Sequence, residues 1–137
     1  MTITFVVPGE PRGKGRPRFT KTGHTYTDSE TKAYENKIIA YYRKACGAYK
    51  FPDEKYIRVK VEAYYPIPKS ATKSAAAEMA QNKRLPTRKP DIDNVLKAVL
   101  DALNGVAYKD DSRVVLVSAN KYYGHEPRLV IELEGSG

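Results

Sequence analysis

The segment from Asp91 to about Leu103 constrains the fold more than any other part of the chain. Ile92, Val95, Leu96, Val99 and Leu103 recur at helical spacing and make one broad apolar face, and Gly105 follows as a stop. Such a helix is held mainly by burying that face, so something apolar must cover it. The sequence supplies the cover as strands. In Ile57–Tyr65, the residues Ile57, Val59, Val61 and Ala63 point one way, and Pro66 and Pro68 close the run. Thr2–Val7 alternates likewise, with Ile3 and Phe5 on one side and Pro8-Gly9 at its end. Val114–Ala119 and Leu129–Leu133 read as two further strands. A second long helix is predicted from an N-cap at Asp28 or Ser29 to about Cys46, with Tyr34, Ile38, Tyr41, Tyr42 and Ala45 at helical spacing before Gly47. The alanine-rich stretch Ser74–Asn82 suits a short helix, and Arg18–Thr20 with Thr25–Thr27 a small hairpin around Thr22-Gly23. Strands before, between and after helices predict one α+β domain over residues 1–137, with a mixed or antiparallel sheet packed against two main helices.

Composition narrows the class. The chain has 137 residues and one cysteine, Cys46, so it must build an ordinary core without an internal disulfide or a cysteine zinc cluster. A reducing, cytoplasmic setting is expected. No apolar run approaches the roughly 20 residues of a membrane span, so no membrane partner is expected. Lys and Arg total 24 against 16 Asp and Glu, a net charge of +8, which favours a polyanionic partner, nucleic acid first.

That charge is unevenly distributed. Arg12, Lys14, Arg16, Arg18 and Lys21 fall in a stretch without acids, and Gly13, Gly15 and Pro17 leave it little chance of packing alone. It is expected to be mobile until it meets DNA. Lys69, Lys73, Lys83, Arg84, Arg88 and Lys89 share their stretch with Glu78 alone. Then the sign inverts: Asp91, Asp93, Asp101, Asp110 and Asp111 face only Lys97 and Lys109.

Two readings of this acidic island compete. Asp91 and Asp93 at the start of a helix are suited to capping and to the helix dipole, Asp93 and Lys97 to a surface pair, and Asp110-Asp111 to a solvated turn. Alternatively, if the turn folds back along the helix, Asp111 meets Asp91 and Asp93, and three carboxylates share a pocket with Lys97. Phosphodiester hydrolysis uses such a set, because a hard cation on carboxylates neutralises phosphate and activates water. A nearby ammonium then stabilises developing charge. Other motifs fail. Asp91-Ile-Asp93-Asn94 lacks the glycine and terminal glutamate of a calcium loop, and the Gly9–Lys14 run is one residue short of a P-loop. His24 and His125 are too few for a zinc site.

The run Lys89–Val114 closely resembles the signature of RusA-type Holliday-junction resolvases. It has Asp-x-Asp-Asn at Asp91–Asn94, a lysine at Lys97, Asp-Ala-Leu at Asp101–Leu103, and Asp110-Asp111 before a strand. The resemblance extends weakly over the whole chain. It implies a homodimeric, metal-dependent endonuclease that resolves four-way DNA junctions by paired symmetric nicks, with Mg²⁺ as cofactor and Mn²⁺ as a substitute. Carried over, the catalytic residues are Asp91, Asp93, Lys97 and Asp111, with the three aspartates as metal ligands and Asp110 adjacent. Junction phosphates would be gripped by Arg12, Lys14, Arg16, Arg18, Lys69, Lys73, Arg88 and Lys89. A two-fold enzyme suits two symmetry-related cuts. The alternatives are a non-catalytic nucleic-acid-binding domain and a metal-dependent nuclease acting on other branched DNA or on RNA.

Overall fold

The computed structural model describes residues 1–15, 18–26 and 28–137, with Arg18 and Tyr26 by their backbones alone. Its elements run β1 (Thr2–Pro8), β2 (Arg18–Phe19), β3 (Thr25–Tyr26), α1 (Ser29–Cys46), β4 (Tyr56–Pro66), α2 (Lys73–Ala80), α3 (Ile92–Leu103), β5 (Val114–Gly124) and β6 (Arg128–Ser136). β1, β4, β5 and β6 form one mixed sheet in the order β1-β6-β4-β5, and β2 and β3 make the predicted hairpin. β6 is antiparallel to both neighbours, whereas β5 runs parallel to β4. A parallel pair needs a long crossover. Here the crossover carries α2 and α3, so the acidic segment lies between two neighbouring strands.

One face of the sheet is dry. Ile3, Phe5 and Val7 of β1, Val59, Val61 and Ala63 of β4, and Leu129, Ile131 and Leu133 of β6 are all buried there. α1 covers them with Ile38 and Tyr42, and α3 with Val95, Ala98, Val99, Ala102 and Leu103. Phe5 meets Tyr42 edge-on at 5.5 Å between ring centres, and the Tyr42 hydroxyl donates to the Tyr49 carbonyl at 2.6 Å. Both long helices start as the sequence requires: Asp28 accepts from the Thr31 backbone N–H, and Asp91 stands at the N-cap of α3. Among the described residues, no helix is long and apolar enough to cross a membrane.

One expectation needs correction. The strand predicted to end at Ala119 continues to Gly124. Asn120 and Lys121 interrupt the apolar alternation, but the backbone stays paired, with Tyr122 and Tyr123 beside Tyr64 and Tyr65. The sheet face away from the helices carries cross-strand ion pairs. There Arg58 pairs with Glu132 at 2.9 Å and Glu134 at 3.4 Å across β4 and β6.

The packing of α3 yields the first prediction. Leu103 is fully buried under the sheet and α1. Leu103→Ala should cost about 2–5 kcal/mol, read as a lower urea midpoint at unchanged slope.

Candidate active site

The candidate residues lie at the start of α3, along its exposed face and in the turn that follows it. Asp91 occupies the α3 N-cap with extended backbone (φ −68°, ψ 146°), yet its side chain makes no capping hydrogen bond. Its carboxylate is exposed, and the Lys89 ammonium lies 4.0 Å away. Asp93, in the first turn, is exposed and has no side-chain partner among the described residues. The positive end of the helix dipole faces both.

Asp110 and Asp111 divide their work. Asp110 caps a single turn of 3₁₀ helix (Asp111–Arg113) and accepts the Ser112 N–H at 3.0 Å. Hydrogen bonding from the Ser112 side chain first, and then from its backbone N–H, lowers the Asp110 carboxyl from its ordinary value. Asp111 makes no such bond and is exposed. The loop that leads to it is anchored by Tyr108, whose buried hydroxyl donates to the Leu100 carbonyl at 2.9 Å. Burial first, then the charges of Asp111, Asp101 and Asp110, push the Tyr108 phenol strongly up. The Tyr108–Leu100 bond ties the turn to the C-terminal half of α3, whereas Asp91 and Asp93 stand at its start. Among the described residues, no three His, Cys, Asp or Glu side chains converge tightly enough to hold a metal ion.

Lys97 projects from α3 with an exposed ammonium. Its ion-pair partner is Asp101, one turn later, at 3.6 Å. Asp93, the i−4 neighbour singled out by spacing, is not paired with it. Asp101 in turn receives Lys14 at 3.0 Å on the same oxygen, and Lys14 also reaches Glu35 of α1 at 2.6 Å. Glu35 and Lys14 are largely buried, at 9% and 14% side-chain exposure, so their ammonium–carboxylate pair belongs to the interior. Sequence reasoning missed Glu35 and the role of Asp101. The available signals were a carboxylate in the apolar stripe of α1 and the i,i+4 spacing of Lys97 and Asp101.

Lys14 thus departs from its expected role. Its ammonium is engaged by two carboxylates and largely buried. The expectation of a mobile loop fails for residues 11–15. Pro11 is buried, the Lys14 N–H donates to the Asn94 carbonyl at 2.8 Å, and the Gly15 N–H donates to the Thr31 hydroxyl at 3.0 Å. Both glycines are needed for this approach. A β-carbon at Gly13 would stand 2.8 Å from the Pro90 β-carbon, and one at Gly15 would collide with the Asp28 carboxylate. Arg12 remains exposed on this loop. Arg16 lies outside the described residues, as does the side chain of Arg18.

The second basic group is exposed throughout: Lys69 after β4, Lys73 at the start of α2, and Arg88 and Lys89 just before Asp91. Lys121 of β5 ties that approach down. Its ammonium donates to the carbonyls of Arg88 and of Pro90, the latter at 2.9 Å, and lies 5.5 Å from the Tyr65 ring centre. Nothing in the acidic motif pointed to Lys121, because its partners are backbone atoms.

The class of this α+β protein, with exposed aspartates in a chain of net charge +8, comes from comparison with known proteins. Residues 8–134 match the endodeoxyribonuclease RusA family, and the chain belongs to that family. It is also similar to the uncharacterized protein YqaN of Bacillus subtilis strain 168, at 36% identity over 135 residues, covering 94% of this chain and 93% of that one.

The buried charges give a pH-dependent prediction. Burial opposes the charge of Lys14, but Glu35 and Asp101 outweigh it and raise its pKa above the ordinary lysine value of 10.5. Its contribution is therefore complete at neutral pH and is lost as pH rises past the raised value. Lys14→Met, which leaves the buried Glu35 unpaired and Asp101 with Lys97 alone, should destabilise the fold by about 3–5 kcal/mol at pH 7. The gap between variant and wild type in thermal melts should narrow above the ordinary lysine value. A constant gap through that range would remove Lys14 as its source.

Proposed function

We propose that this member of the RusA family is a homodimeric, Mg²⁺-dependent endonuclease that resolves four-way DNA junctions by paired nicks. The observation that carries this reading is the state of Asp91. It occupies an N-cap without forming the capping bond, so the plain helix-capping explanation loses its main support. With Asp93 and Asp111 it presents exposed carboxylates in a chain of net charge +8. Hard, acceptor-only oxygens with little competition from protein donors fit Mg²⁺, with Mn²⁺ as a substitute. Asp91, Asp93 and Asp111, which do not converge on their own, would have to draw together to hold the ion, and it would supply neutralisation of phosphate charge and a more acidic water.

The chain's own residues do the remaining work. The exposed ammonium of Lys97 is available to stabilise charge developing on the scissile phosphate. Arg12, Lys69, Lys73, Arg88 and Lys89 are exposed cations suited to junction phosphates, and Arg16 and Arg18 are assigned to the same task by resemblance. Lys121 positions the backbone from Arg88 to Pro90 and so the entry to Asp91. Lys14 supports the loop from within.

The homodimer draws support from β5. Among the described residues it is an edge strand, paired only with β4, and Val115, Leu116 and Val117 stand 56%, 62% and 51% exposed along it. An open edge with three successive apolar residues invites a second copy, whose identical edge is self-complementary about a two-fold axis.

Three outcomes test the reading. Asp91→Asn, Asp93→Asn and Asp111→Asn should each nearly abolish Mg²⁺-dependent nicking of a four-way junction while junction binding survives. Full activity in any one variant removes that residue from the set, and metal-independent binding without cleavage by the wild type would favour a non-catalytic DNA-binding domain. Leu116→Asp should turn a dimer into a monomer in light scattering and uncouple the two nicks. A panel of linear, flapped and RNA substrates identifies the preferred one.

A further inference from the structure

The function of Lys97 raises the question of what aims it. A lysine side chain has four rotatable bonds, and an exposed one samples many positions unless a partner restrains it. Lys97 has such a partner in Asp101, and Asp101 is itself restrained. One carboxylate oxygen of Asp101 receives both ammonium groups, Lys97 at 3.6 Å and Lys14 at 3.0 Å. Lys14 cannot drift, because Glu35 holds it at 2.6 Å in a nearly dry place and its backbone N–H is bonded to the Asn94 carbonyl. An isolated i,i+4 pair on a helix surface orders its partners weakly. This pair instead ends a chain rooted in the interior. Exposure rises along it, from 9% at Glu35 through 14% at Lys14 and 25% at Asp101 to 62% at Lys97.

We propose that Asp101 is the positioning residue for Lys97, and that Lys14 and Glu35 lock Asp101 in place. The inference rests on the reading that Lys97 acts in cleavage. The chain's two acids and two bases sum to zero charge, so it can be buried at its inner end without leaving a free ion. Lys14 also shares the Asp101 oxygen, so that carboxylate is not wholly spent on Lys97, whose ammonium keeps charge to offer an incoming phosphate. The placement has a direction. Asp101 draws the ammonium along α3 towards its C-terminal half and away from Asp93. The Asp-Ala-Leu at Asp101–Leu103 thereby acquires a division of labour. The aspartate faces Lys97, and Ala102 and Leu103 are buried in the core.

A double-mutant cycle tests this. Single-turnover cleavage of a four-way junction is measured with Mg²⁺ for wild type, Asp101→Asn, Lys97→Ala and the double variant, and junction affinity without cleavage in EDTA. Asp101→Asn should slow cleavage on the order of ten- to a hundredfold, the scale of losing a positioning contact, with affinity nearly unchanged. Asp101→Glu, which keeps the carboxylate, should restore part of the rate. In the Lys97→Ala background, Asp101→Asn should have no further effect. The lysine side-chain NMR signal that disappears in Lys97→Ala should move in Asp101→Asn. An equal loss of rate in both backgrounds, or a wild-type rate in Asp101→Asn, overturns the proposal and leaves Asp101 as a structural partner of Lys14. If Lys97→Ala itself cleaves at the wild-type rate, the role of the lysine in cleavage is what fails. The NMR signal then decides the contact alone, an unmoved resonance overturning it.

Discussion

The burial of one face of α3 against the sheet and α1 is the constraint on which the other features depend. Val95, Ala98, Val99, Ala102 and Leu103 are buried, so the helix can neither rotate nor slide without exposing them. Its start is thereby set beside the loop at residues 11–15, and its outward face carries Lys97 and Asp101. The acidic residues stand at defined places because apolar ones, interleaved with them on the same helix, have only one good home.

Charge inside the structure follows from that packing. Withdrawing Lys14 and Glu35 from water is costly, and the cost is offset only where opposite charges meet at hydrogen-bonding distance. α1, α3 and the N-terminal loop converge at one point and supply two acids and a base there. The loop comes close enough because residues 13 and 15 have no side chain. The same contact that seats the loop thus joins the buried interior to the exposed end of Lys97. The outer charges behave differently. Arg88, Lys89, Lys69 and Lys73 are solvated, contribute little to stability, and remain available to a polyanion.

The crossover between β4 and β5 links fold to surface. Because β5 pairs with β4 in parallel, α2 and α3 must lie between them in the chain, and the strand that closes the crossover becomes an edge. Lys121 on that strand reaches back to the carbonyls of Arg88 and Pro90, so the end of the crossover braces its middle, just ahead of Asp91. The open edge bears Val115, Leu116 and Val117, the largest run of exposed apolar residues in the sheet.

Much of this was legible in the residue order. Helical spacing in Asp91–Leu103 and alternation in Ile57–Tyr65 follow from local geometry, since side chains repeat every 3.6 residues on a helix and every two on a strand. The contrast between Asp91, Asp93 and Asp111 and the surrounding bases was likewise visible without coordinates, as was the resemblance those residues carry. The sequence could not say that Asp110 is occupied in a turn while Asp111 is left open, nor that Asp91 forgoes its cap. It could not say that Lys14 turns inward to Glu35 and Asp101 or that Lys97 pairs forwards and not backwards. Those outcomes depend on contacts between residues far apart in the chain. A charged side chain has several partners within reach at similar energy, and only the packing of the apolar faces decides which of them lies at bonding distance.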